Sequence, residues 1–212
     1  MNKGSFIARE ARRSAGRREK ERAGRRQAML TAAERVFVRK GFRGATIGEI
    51  AREAEFAVGT FYNFFQNKED LYRQVLDGIA REFTAEFERD VKRRDDPADA
   101  LAALIDLRMR IFDQHREFFR LFFEQSAMGV GLTRTHLQLR EGYRQGVRDI
   151  FARGIRRGIF DPLDPLYQAI CLDGMLNAFV RYWSTHETGE PPATRLRKMK
   201  RIVLSRFSRR SE

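Results

Sequence analysis

The chain of 212 residues carries 42 Lys and Arg against 29 Asp and Glu, a formal charge of +13. That excess sits at the ends: residues 1–26 and 195–212 carry +7 each while 66–194 carry −2, which suits a polyanion, nucleic acid before membrane surface. A single cysteine, a charged N-terminus with no apolar run behind it, and no apolar stretch approaching ~18 residues argue against an internal disulfide, a secretory signal and a membrane span, so a cytoplasmic protein is expected.

Residues 1–21 are Arg-rich with few large apolar side chains, and too little surface can be buried there to offset ordering entropy; a flexible basic arm is expected. From Arg22 a helix is predicted, with Leu30, Ala33, Val36 and Phe37 on one face and Gly41 as its stop. Thr46 can cap a second helix whose Ile47, Ile50, Ala51 and Ala54 recur at i, i+3, i+4 and i+7. Glu55-Phe56-Ala57 would form a turn, and Val58 to Phe65 a further short helix with Phe61 and Phe65 facing inward. Two short helices joined by a tight turn are the geometry of a helix-turn-helix, whose second helix enters the DNA major groove.

The residues Gly41-Phe42, Thr46, Ile50-Ala51, Gly59-Thr60, Tyr62, Phe65 and Lys68 carry a resemblance to the TetR family of bacterial transcriptional regulators. It covers about 45 residues through the combined spacing of these positions. Three positions depart from the family pattern: Glu55 stands where a turn glycine is usual, Ala57 where a capping side chain is usual, and Phe64 where His is frequent. The resemblance implies an all-α protein with an N-terminal three-helix DNA-binding domain (22–66) and a C-terminal helical domain (67–212) for ligand binding and dimerisation. It implies backbone contacts by Tyr62 and Lys68, and backbone or base contacts by Thr46 and Thr60. Val58, Gly59 and Asn63 fill the remaining groove-facing positions: Val can meet a thymine methyl, Asn can pair with adenine, and Gly59 allows close approach. Arg22, Arg25 and Arg26 join the arm arginines as candidates for DNA contact, against the plainer reading of a solubilising tail. For Lys68, in a first helical turn where a cation is disfavoured, the plainer reading is a solvated lysine, and the phosphate contact is favoured over it.

Asn67 reads as the cap of a helix running to about Arg94, and Asp96-Pro97 as the start of one through about Gln114, with Leu101, Leu104, Ile105, Arg108 and Phe112 on its apolar side. His115 to Gln125 forms an intensely aromatic helix, Thr133 to Arg157 a long one, and Pro165 to His186 one that is apolar over a wide arc. A final basic helix follows Pro192. Four phenylalanines in six residues (Phe118, Phe119, Phe122, Phe123) are usually plain core, but the resemblance implies a pocket in this domain. Met109, Phe112, Phe119, Phe122, Met128, Tyr143, Phe151, Met175, Asn177 and Phe179 are the candidate lining, with His115, Gln125, Tyr143 and Asn177 as polar groups and no charged cluster expected. An apolar small-molecule effector and a homodimer follow as expectations.

His115, His136 and His186 have no metal-ligand spacing with Cys171, which reads as inert packing. The sequence shows no phosphate-cradling glycine loop and no nucleophile elbow, so no cofactor, metal, catalytic residue or enzyme activity is expected. The rival readings are a basic DNA-binding protein without sequence preference, and a helical enzyme or carrier with a vestigial helix-turn-helix.

Overall fold

A computed structural model describes the backbone of residues 3–126, 133–186 and 189–209, with side chains from residue 14 to 123 and through the two later segments. Among the described residues every regular element is a helix, apart from one isolated bridge between Phe160 and Ser208. The chain divides into two compact units, Met1–Val75 and Leu76–Glu212.

The first unit opens with α1 (Lys3–Gly44). This helix starts well before Arg22, so residues 3–21 extend α1 where a flexible arm was expected. Its Ala, Arg, Glu and Lys are strong helix formers, and Arg17 pairs with Glu21 one turn on at 3.0 Å. Gly41, at φ 71°, kinks the helix as its stop, and one more turn follows. Thr46 then caps α2 (Ile47–Glu53) through a full capping box: its hydroxyl accepts from the Glu49 amide at 3.2 Å while Glu49 accepts from the Thr46 amide.

The next helix, α3 (Val58–Phe61), is half the expected length. Ala57 supplies no cap, and the following turn tightens, with Asn63 and Phe64 donating to the carbonyls three residues back. Phe61 and Phe65 are buried all the same, as are Ile50 and Ala51 of α2 and Met29, Phe37 and Val75 of the flanking helices. Tyr72, on α4 (Lys68–Glu86), sets its ring edge-on to Phe37 and Phe42 at 5.5 and 5.2 Å.

In the second unit the expected long helix to Arg94 instead runs into a single π turn, Phe87–Val91. The amide of Lys92 reaches the Phe87 carbonyl at 2.9 Å, and the wider turn keeps Phe87 and Val91 both buried. The Phe87 ring lies where a Cβ on Gly146 would stand. There follow α5 (Pro97–Gln114), capped by Asp96, α6 (Arg116–Ser126), α7 (Arg134–Arg156), capped by Thr133, α8 (Pro165–Thr185), capped by Asp164, and α9 (Pro192–Phe207). Phe151 sits at the heart of this unit with the rings of Phe160 and Phe207 5.3 and 4.9 Å away.

Candidate nucleic-acid interface and ligand cavity

In the first unit burial sorts the predicted residues into two sets. Phe61 and Phe65 anchor α3 from within, whereas Val58 and Tyr62 stand 47% and 58% exposed on its outer side. Gly59 and Asn63 are exposed with them, and Thr60 is half-buried. Thr46 is exposed too, its hydroxyl engaged with Glu49 at 3.0 Å. Arg22 and Arg25 are exposed, Arg22 lying over the Phe64 ring at 5.8 Å. Arg26 is held closer in, over Phe65 at 5.8 Å and donating to Gln74. Arg9, Arg12 and Arg13 of the arm have side chains outside the described residues.

Lys68 makes contacts within the unit that the sequence did not reveal. Its ammonium donates to the carbonyl of Ala45 at 2.9 Å, lies 3.4 Å from that of Arg43, and sits 4.7 Å above the Phe42 ring. The last carbonyls of a helix have no partner within it and carry partial negative charge, so a cation from α4 is well matched to the end of α1. Lys68 therefore ties α1 to the residue before the α2 cap. Sequence reasoning missed this because the partners lie 23 and 25 residues away and are backbone atoms.

The turn closes where the sequence placed it, and Glu55 has φ 60°, the one positive-φ residue other than glycine among the described residues. Its neighbours are tied by polar contacts, Glu53 accepting from Arg35 at 3.1 Å and Arg39 at 3.0 Å, and Glu49 pairing with Lys40. Hydrogen bonds from Lys40 first, and then from Thr46, hold the Glu49 carboxyl below its ordinary range; the Arg39 hydrogen bond does the same for Glu53.

In the second unit a cavity of about 580 Å³ is walled by α4, α5, α6, α7 and α8. Of the predicted lining, Phe112, Phe119, Phe122, Tyr143 and Asn177 come together on its wall. Phe151 does not: it is closed in the core by Phe160 and Phe207. Met109 faces a separate, shallower hollow beside α9. Met175 and Phe179 are off the wall because α8 presents Asp173, Gly174, Asn177 and Arg181 to it, and Phe179 turns its ring to Trp183 at 5.2 Å. Met128 and the side chain of Gln125 lie outside the described residues. His115 is off the wall as well, its Nε2 3.3 Å from Glu82 Oε2.

The cavity also holds charge that the sequence reading did not expect. Arg108 on α5 donates to Asp173 at 3.2 Å and to Asn177, and lies over Phe83 at 5.8 Å. Arg140 on α7 reaches Asp173 at 3.6 Å. Tyr143 is buried with its hydroxyl lacking a well-formed hydrogen bond; burial raises the phenol to about 12, Arg108 opposing and Asp173 adding to the rise. His136 is held below the usual histidine value, mainly by burial, with its Nδ1 3.9 Å from the buried Asp77 carboxylate. The available signal was Arg108 on an otherwise apolar helix stripe.

Along the exposed side of α8, Tyr167, Ile170 and Tyr182 are 66%, 47% and 52% exposed and Cys171 is exposed with them, while Gly174 and Ala178, also exposed, border the cavity. Cys171 is thus a surface residue and not packing. Among the described residues no three His, Cys, Asp or Glu gather to hold a metal ion, and no helix is long and apolar enough to cross a membrane.

Two family models match. Residues 29–75 match that of the bacterial regulatory proteins of the tetR family, and residues 94–204 the tetracyclin repressor-like C-terminal domain. The HTH-type transcriptional regulator LuxR of Vibrio harveyi is 28% identical over 69% of this chain and 75% of its own. The fatty acid metabolism regulator protein of Bacillus subtilis is 24% identical over 73% of this chain and 81% of its own. Among solved structures, FadR from Bacillus subtilis in complex with stearoyl-CoA superposes with a TM-score of 0.72 at 20% identity, covering 84% of this chain and 97% of that one.

Proposed function

The chain belongs to the TetR family of ligand-responsive, DNA-binding transcriptional regulators, and from that premise we propose that it is a cytoplasmic homodimeric repressor of a palindromic operator, released by a mostly apolar small molecule. The observation that carries the DNA half is the exposure of Val58 and Tyr62 on a helix anchored by the buried Phe61 and Phe65. Val58, Gly59 and Asn63 then meet bases, while Tyr62, Thr60, Thr46, Arg22 and Arg25 meet the backbone. Arg26 and Lys68 hold helices together as their first task, and the Lys68 ammonium can add a phosphate contact at the edge of the reading head. The basic extension of α1 adds charge whose contribution scales with the number of phosphates it neutralises.

The exposed apolar face of α8, Tyr167 to Tyr182, supports pairing with a second copy, its small residues allowing close helix approach. Two linked reading heads gain affinity through effective concentration. Ligand in the cavity acts by binding more tightly to the state in which the heads are wrongly spaced, since equal affinity for both states would shift nothing.

The test is fluorescence anisotropy on an operator selected from random sequence, with unrelated DNA as competitor, repeated across salt. Tyr62→Phe is expected to weaken binding to both DNAs alike, and Lys68→Met to lower affinity through reading-head stability, with a log–log salt slope changed by less than the ~0.9 of a full phosphate contact. Equal affinity for operator and unrelated DNA in the wild type would favour a sequence-nonspecific DNA-binding protein instead.

A further inference from the structure

The described wall of the cavity has its hydrogen-bonding capacity unevenly spent. Asp173 is its one carboxylate, and it already accepts from Arg108 at 3.2 Å and from Asn177 at 3.2 Å, with Arg140 3.6 Å away. The Asn177 carbonyl oxygen accepts from Arg108. The Thr84 hydroxyl donates to its own helix, at the Ala80 carbonyl. Apart from the ring nitrogen Nδ1 of His136, which has no hydrogen-bond partner, the wall's carboxylate and amide acceptors are therefore engaged within it. Donors are not: the buried Tyr143 hydroxyl has no well-formed hydrogen bond, and Arg140, half exposed, touches Asp173 with one of its five N–H groups' nitrogens. Arg181 adds a third guanidinium, over the Phe123 ring at 6.0 Å. Three guanidiniums face one carboxylate, and His136, kept largely neutral by burial, does not restore the balance.

We infer that the effector carries an anionic, acceptor-only head, a carboxylate, on its apolar body, and that Tyr143 and Arg140, backed by Arg108, read that head. This rests on the reading of the cavity as the effector site. The same cavity is lined by Phe112, Phe118, Phe119 and Phe122, which offer apolar surface for the body. A neutral alcohol could accept from Tyr143 but would leave the surplus positive charge uncompensated. An ammonium head would have to take Asp173 from its three partners while facing the guanidiniums. A carboxylate accepts charge-assisted hydrogen bonds, the stronger kind, from the donors that stand idle.

Isothermal titration of the full-length protein with dodecanoate, 1-dodecanol and dodecylamine, each below its aggregation limit, separates the possibilities. Dodecanoate is expected to bind roughly ten-fold tighter than the alcohol, and the amine weakest. Tyr143→Phe combined with Arg140→Gln should erase most of that preference, the acid losing far more affinity than the alcohol, which forfeits only its one hydrogen bond from Tyr143; Arg140→Gln alone, on a half-exposed side chain, serves where the double variant folds poorly. Equal binding of acid and alcohol would overturn the head-group inference and leave an apolar effector pocket standing. Tightest binding by the amine would overturn it in favour of Asp173 as the reader. Binding of none of the three would remove the effector-site reading along with it.

Discussion

Two helices in this protein end in the same backbone motif, one in each unit, and differ in the residue that makes the bend. At the end of α2 the amide of Phe56 donates to Ala51 at 2.9 Å and that of Glu55 to Arg52 at 3.0 Å. At the end of α7 the amide of Ile159 donates to Gly154 at 2.9 Å and that of Gly158 to Ile155 at 3.0 Å. Both are Schellman closures with a left-handed residue at the bend, Glu55 at φ 60° and Gly158 at φ 69°. For glycine that conformation is free of penalty; for a residue with a Cβ it costs roughly 1–2 kcal/mol. The reading head tolerates the cost because the turn is fixed from outside: Phe61 and Phe65 are sunk in the core, the capping box fixes one end of α2, and Arg35 and Arg39 hold Glu53 at the other. Turn geometry here follows from what the flanking helices bury, not from the preference of the turn residue.

The larger unit is less forgiving at its equivalent point. Gly154, whose carbonyl accepts from Ile159, lies against the Phe160 ring so closely that a Cβ would overlap it. Gly154→Ala is expected to cost about 1–3 kcal/mol by overpacking, the largest effect predicted here. For a chain of this size that lowers the thermal midpoint by roughly 2–4 °C per kcal/mol. Trp183, buried and the sole tryptophan, reports the melting of this unit alone. An unchanged Trp183 midpoint would mean that the Phe160 ring moves aside without cost.

Exchanging the residues at the two bends sharpens the comparison. A Cβ at Gly158 would meet only the Arg209 side chain at 3.4 Å, so Gly158→Ala isolates the backbone penalty, about 1 kcal/mol of lost stability. Glu55→Gly should stabilise the reading head by about the same amount. Calorimetry on both variants checks the signs. Should Glu55→Gly destabilise, the Glu55 side chain makes a contribution that exceeds its strain.

These contrasts show which features a sequence can reveal. The cap at Thr46, the turn at Glu55-Phe56-Ala57 and the inward pair Phe61 and Phe65 are local and were legible, whereas the Glu49 half of the capping box and the left-handed φ at Glu55 were not read. The helical state of residues 3–21 was legible in propensity but outweighed by the scarcity of apolar side chains. Lys68 was recognised as special, yet its partners are backbone carbonyls at the end of another helix. The polar wall of the cavity was the least legible part. Arg108, Arg140 and Asp173 come from three helices, and nothing in the spacing of one helix reveals what another brings against it. Phe151 and Met109 misled for the complementary reason: an apolar side chain in a helix fits a cavity and a core equally well until the packing is known.

The smallest expected effect separates the two units by pH. His136, on the cavity wall, has its value lowered from 6.5, first by burial and then by Arg140, with the Asp77 carboxylate opposing. The folded unit thus prefers the neutral ring: that contribution is fully present above the unfolded value of about 6.5 and is lost as pH falls through the lower folded value. In the reading head the shifted groups are Glu49 and Glu53, lowered from 4.5 by Lys40 and Thr46 and by Arg39. Their contribution is present above that value and is lost only as pH drops through their folded values. Between pH 7 and 5 the ligand unit should therefore soften while the reading head does not. The Trp183 fluorescence midpoint is expected to decline over that range, and to decline less in His136→Gln, whereas amide NMR signals from Thr46 to Phe65 should hold their positions until the pH is well below 5. The carboxyl of Asp113, raised by burial against the opposing charges of Arg195 and Arg116, gains stability as pH falls, the opposite sign, and so does not mimic the histidine. An equal decline in wild type and His136→Gln would assign the softening to some other group.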